Sequence, residues 1–81
     1  VDSSALALRL AQDAAAQGEV AELVDVKQGD AVDIMLSLAA EARRYGVVAV
    51  DPPAYIKGKA DIVMGLRGYQ RAAQAAAPLV E

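Results

Sequence analysis

The sequence predicts a doubly wound α/β domain, a βαβαβα segment of a parallel sheet, and three observations carry that prediction. Gly46-Val47-Val48-Ala49-Val50 is apolar at every position, as a strand covered on both faces of a parallel sheet requires. Three runs of helix-forming residues alternate with candidate strands across short connections. An aspartate stands at or just beyond each strand end, at Asp2, Asp30 and Asp51, on the rim where open parallel sheets bind their ligands.

Val1-Asp2 reads as the end of a first strand. Ser3 or Ser4 then caps a helix over Ala5 to Gln17, because a hydroxyl there accepts from unpaired first-turn N–H groups, and Gly18 ends it. Leu6, Leu10 and Ala14, flanked by Ala7 and Ala11, form its expected apolar stripe. Ala21 to Val26, with Leu23, Val24 and Val26 among acids, fits a half-buried strand. Gln28-Gly29-Asp30 breaks that pattern. A helix is expected from Ala31 to about Arg44, with Ile34, Leu38 and Ala42 on its buried stripe and Arg43-Arg44 complementing the dipole of its last turn. After the central strand, Asp51-Pro52-Pro53 turns the chain out of the sheet, since neither proline donates an N–H and each restricts the residue before it. A polar loop with Lys57, Gly58 and Lys59 leads to a last helix from about Ala60 to Ala77, with Ile62, Leu66, Tyr69, Ala73 and Ala76 at helical spacing and Pro78 at its end.

Composition narrows the chemistry. Among 81 residues there is no Cys and no His, so disulfides, Cys/His zinc sites, thiol nucleophiles and imidazole bases are excluded together. The net charge of −3 excludes an ordinary basic nucleic-acid module. The 56% hydrophobic content argues for packing, but 19 of those residues are Ala, and there is no Trp or Phe, so the core is thin. No apolar run reaches the roughly 18 residues that span a bilayer, so a soluble, cytoplasmic chain is expected.

The rim aspartates suit a nucleoside. The Asp2 carboxylate offers two oxygens to the vicinal diol of a ribose, and Asp30 can accept from an exocyclic amine; the competing reading makes both of them helix caps. Asp51-Pro52-Pro53-Ala54-Tyr55 is more specific, because two prolines fix the direction of the carbonyls and a tyrosine ring two residues later can stack on a planar base.

Val1-Asp2-Ser3-Ser4-Ala5-Leu6-Ala7-Leu8, Gly29-Asp30-Ala31, Val50-Asp51-Pro52-Pro53-Ala54-Tyr55-Ile56-Lys57 and Gly65-Leu66-Arg67-Gly68-Tyr69 together resemble the class I S-adenosylmethionine-dependent methyltransferases. The resemblance covers essentially the whole chain. More narrowly it points to the subgroup that methylates C5 of cytosine in large-subunit ribosomal RNA, although Ala73 stands where that subgroup commonly carries Asn. It implies a partial Rossmann-like sheet, with S-adenosylmethionine as cofactor and RNA as partner. Asp2, Ser3, Asp30, Ala31 and Asp51 would then contact the cofactor, and Asp51, Pro52 and Pro53 would lie between the methyl donor and the target base. Tyr55, Lys57, Lys59 and Arg67 would face the RNA; no metal is implied. The glycine-rich loop of that family and its attacking cysteine have no counterpart here, so residues 1–81 are expected to be the central part of a catalytic domain and inactive alone. Unpaired strand edges would favour strand-paired assemblies or homo-oligomers. Residues 1–51 carry 4 basic and 9 acidic groups and residues 52–81 carry 4 and 2, so positive charge gathers after the prolines. Two alternatives stay open: a methyltransferase for another nucleic acid or a small molecule, and a non-catalytic α/β interaction module.

Overall fold

The computed structural model describes residues 1–81 and divides into two compact units, Val1–Ile34 and Met35–Glu81. Three α-helices dominate, α1 (Ala5–Gln17), α2 (Ala31–Ala40) and α3 (Ile62–Ala76), and the boundary between the units falls inside α2. Short 3-10 turns occupy Ala21–Leu23, Lys59–Asp61 and Ala77–Leu79.

The expected doubly wound parallel sheet, and with it the Rossmann-like βαβαβα order, is not formed. Backbone pairing of the strand type is limited to one parallel rung in each unit, Asp2 with Gln28 and Tyr45 with Val80. Ala21–Leu23 curls into a 3-10 turn instead of opening the second strand, and Gly46 to Val50 has no ladder, leaving Val47 86% exposed. Each rung stands alone: the one at Asp2 and Gln28 is followed at once by the cap of α1 at Ser4 and by the turn at Gly29, and Gly46 to Val50 has no neighbouring strand to supply the ladder bonds and covered faces that an all-apolar strand needs.

In the first unit, α1 keeps its expected bounds. The Ser4 hydroxyl accepts from the Ala7 N–H at 3.1 Å and caps the first turn. At the other end Val20 N–H bonds to the Ala15 carbonyl and Glu19 N–H to the Ala16 carbonyl, the paired bonds of a Schellman cap. The left-handed position of that cap falls on Glu19, at φ 60°, and not on the glycine beside it. The expected stripe of α1 is the wrong one: Leu6 is 65% exposed, while Leu8 and Ala15 are buried. Leucines at 6, 8 and 10 lie on two sides of one helix, and without a sheet to cover a broad face the packing selects Leu8.

Helix α2 ends at Ala40, short of Arg44, in a second Schellman cap, with Arg43 N–H on the Leu38 carbonyl, Ala42 N–H on the Ala39 carbonyl, and Ala42 left-handed at φ 58°. Of its expected stripe Leu38 is buried and Ile34 half-buried, with Met35 buried beside them, while Ala42 is exposed past the end of the helix. Arg43 and Arg44 therefore lie beyond the last turn. Arg44 Nη1 donates to the Pro78 carbonyl at 2.7 Å, and the Arg43 guanidinium stands 6.0 Å from the centre of the Tyr45 ring.

In the second unit α3 buries Gly65, Ala72, Ala75 and Ala76, whereas Ile62 and Leu66 of the expected stripe are exposed. The α-helix gives way after Ala76 to the 3-10 turn Ala77–Leu79, where Pro78 supplies no N–H, and Leu79 is 2% exposed. Tyr45 N–H then bonds to the Leu79 carbonyl and Glu81 N–H to the Tyr45 carbonyl. No helix is long and apolar enough to cross a membrane.

Candidate functional site

The parallel rung of the first unit places the two candidate cofactor segments side by side. Asp2 N–H donates to the Lys27 carbonyl at 3.2 Å and Gly29 N–H donates to the Asp2 carbonyl at 3.0 Å, so Asp30 comes directly after the residue bonded to Asp2. Gln28 Nε2 reaches across to the Ser3 carbonyl at 3.4 Å, a second link between the segments that nothing in the sequence pattern announces. Gly29 is at φ 153°, and a Cβ there would meet Ile34 Cδ1 at 3.0 Å, which explains glycine at this turn.

Both acids also bond to backbone nearby, Asp2 in a turn ahead of the Ser4 cap and Asp30 as a cap of α2. Asp2 Oδ1 accepts from the Ser4 N–H at 2.8 Å and Asp30 Oδ1 accepts from the Asp33 N–H at 3.0 Å. The competing cap reading is thus realised at Asp30 and not at Asp2; each exposed carboxylate uses one oxygen, and Oδ2 of each takes no N–H of the chain. As the first residue of α2, Ala31 has an N–H with no acceptor within the helix, and the Asp30 carboxylate goes to Asp33 instead. Ser3 is exposed and Ser4, its neighbour, is the cap.

Asp51, Pro52, Pro53 and Ala54 belong to the second unit and run without regular structure, with Pro52 half-buried and the other three exposed. Tyr55 and Ile56, the next two residues, are firmly seated. They lie against α3 where Gly65 and Gly68 leave the helix surface bare: a Cβ at Gly65 would fall 2.8 Å from the Tyr55 carbonyl oxygen and collide with Ile56 Cγ1, and one at Gly68 would fall 2.9 Å from Tyr55 Cγ. The Tyr55 and Tyr69 rings meet edge to face, with centres 4.9 Å apart and planes at 70°, and the Tyr69 hydroxyl accepts from the Tyr55 N–H at 3.2 Å.

The Tyr55 ring, expected as a platform for a base, is here half-buried against Gly68 and Tyr69. The roles of Gly65, Gly68 and Tyr69 in holding it were not read from the sequence. A signal was present, because two glycines three apart inside a helix cost about 1 kcal/mol each against alanine and so call for a packing reason. Lys57, Lys59 and Arg67 are exposed, Lys59 opening the turn Lys59–Asp61 and Arg67 lying on α3. No group of three or more His, Cys, Asp or Glu side chains converges to hold a metal ion. No protein-family model matches the sequence, and no curated protein does.

Proposed function

We propose that this chain serves a cytoplasmic, S-adenosylmethionine-dependent methyltransferase acting on RNA, with C5 of a ribosomal cytosine as the methylated atom. The observation that most supports this reading is the rung that ties Asp2 to Gln28 and Gly29, because it sets a diol-binding acid and an amine-binding acid on adjacent segments, each with a carboxylate oxygen to spare. That arrangement fits the adenosine half of the cofactor: Asp2 accepts from the ribose hydroxyls beside Ser3, Asp30 accepts from the adenine amine, and the Ala31 N–H donates to a ring nitrogen. Bound S-adenosylmethionine supplies an electrophilic methyl group. Asp51, Pro52 and Pro53 serve the base: the prolines remove two N–H donors and leave carbonyls directed by a stiff backbone, suited to accept from an exocyclic amine and orient the ring. Lys57, Lys59 and Arg67 neutralise phosphate. The attacking thiol of cytosine-C5 chemistry has no source in a chain without Cys, so the role of these residues is binding and orientation.

Titration calorimetry of S-adenosylhomocysteine into the full chain tests the reading. Saturable binding is expected, weakened at least about ten-fold in Asp2→Ala, a loss of about 1.4 kcal/mol that is reasonable for a hydrogen bond to a charged acceptor. Absence of binding by folded protein, or equal binding by Asp2→Ala, contradicts it.

A further inference from the structure

We infer that Tyr69 is a positioning residue, which with the bare helix surface at Gly65 and Gly68 clamps Tyr55 and thereby anchors the end of the Asp51–Ala54 segment. Three independent contacts converge on Tyr55: its N–H on the Tyr69 hydroxyl at 3.2 Å, its ring on the Tyr69 ring at 4.9 Å, and its ring on the backbone of Gly68. Its carbonyl meanwhile sits over Gly65.

The clamp acts at a distance because of the residues between. Proline fixes φ at positions 52 and 53 and restricts ψ of Asp51 and Pro52, so between Asp51 and the clamped Tyr55 only Ala54 and ψ of Pro53 turn freely. Asp51, Pro52 and the Pro53 ring therefore move as one stiff unit about those three torsions, and holding Tyr55 anchors the end from which that unit hangs. The identity of the group the carbonyls of that unit meet rests on the proposed methyltransferase reading; the clamp itself does not.

Amide hydrogen exchange by NMR on the full chain separates local positioning from general stability. In Tyr69→Phe, which keeps the ring and removes the acceptor, exchange at the Tyr55 amide is expected to rise about five-fold, the worth of one net hydrogen bond. Exchange at the Tyr45 and Glu81 amides, bonded in the Tyr45–Val80 rung of the same unit, is expected to stay the same. Gly68→Ala, which puts a methyl on the Tyr55 ring, should speed the Tyr55 amide likewise. It should also change the near-ultraviolet circular dichroism, which in a chain without Trp or Phe comes from Tyr45, Tyr55 and Tyr69 alone. Unchanged exchange at Tyr55 in Tyr69→Phe, or an equal rise at Tyr45 and Glu81, overturns the inference. S-adenosylhomocysteine added to the wild-type chain reports separately: no binding together with the expected exchange pattern rejects the methyltransferase reading and keeps the clamp.

Discussion

In the unit Val1–Ile34, helix α1 is secured at its ends, by the Ser4 cap before it and the bonds from Glu19 and Val20 after it, and it buries only Leu8 and Ala15. In the unit Met35–Glu81, helix α3 is secured along a face, where Gly65 and Gly68 admit Tyr55 and Ile56 and a run of alanines is buried toward Leu79. Both arrangements answer the same shortage of large side chains. Where no bulky residue fills space, a helix either satisfies its terminal backbone groups or brings other backbone close enough for dispersion to act across a small gap. The units differ in charge as well, with 2 basic and 7 acidic residues in 1–34 against 6 and 4 in 35–81.

The comparison predicts different sensitivities. Gly65→Ala strikes the face of α3 and should destabilise the second unit by about 2 kcal/mol, because the new methyl meets the Tyr55 carbonyl and Ile56, backbone and branched side chain that have little room to give. Hydrogen exchange should register the loss at Tyr55 and Ile56. A tolerated Gly65→Ala would mean that the close approach is not what holds α3. Ser4→Ala strikes an end of α1 and should cost about 1 kcal/mol, seen as faster exchange through the first turn while α3 keeps its protection. The smallest effect has the opposite sign. Glu19→Gly, and independently Ala42→Gly, relieves a left-handed residue in a Schellman cap and should stabilise by about 0.5–1 kcal/mol, measured as a higher urea midpoint.

Local chemistry was legible in the sequence. The bounds of α1 and the caps at Ser4 and Asp30 are set by residues within a turn or two of one another. Pairing was not legible. The apolar run Gly46 to Val50 reads as a central strand on composition, but a strand is made by its neighbours, and the only pairing beside it is the single rung of Tyr45 with Val80. The faces chosen for α1 and α3 failed for the same reason, since they were the faces a sheet would have covered. In the candidate site, Asp2 and Asp30 were readable as exposed acids at segment ends. The clamp on Tyr55 was hidden because glycine spacing in a helix says that something comes near without saying what.

The most direct test of the nucleoside site is a titration of S-adenosylhomocysteine into isotopically labelled full chain, tracked residue by residue through backbone amide shifts. Saturable shifts centred on Asp2, Ser3, Asp30 and Ala31 are expected, with the exposed Leu6 and Leu10 face of α1 unmoved. Absence of shifts at saturating ligand, or shifts centred on that apolar face, would contradict the site and leave Asp2 as a turn residue and Asp30 as a helix cap.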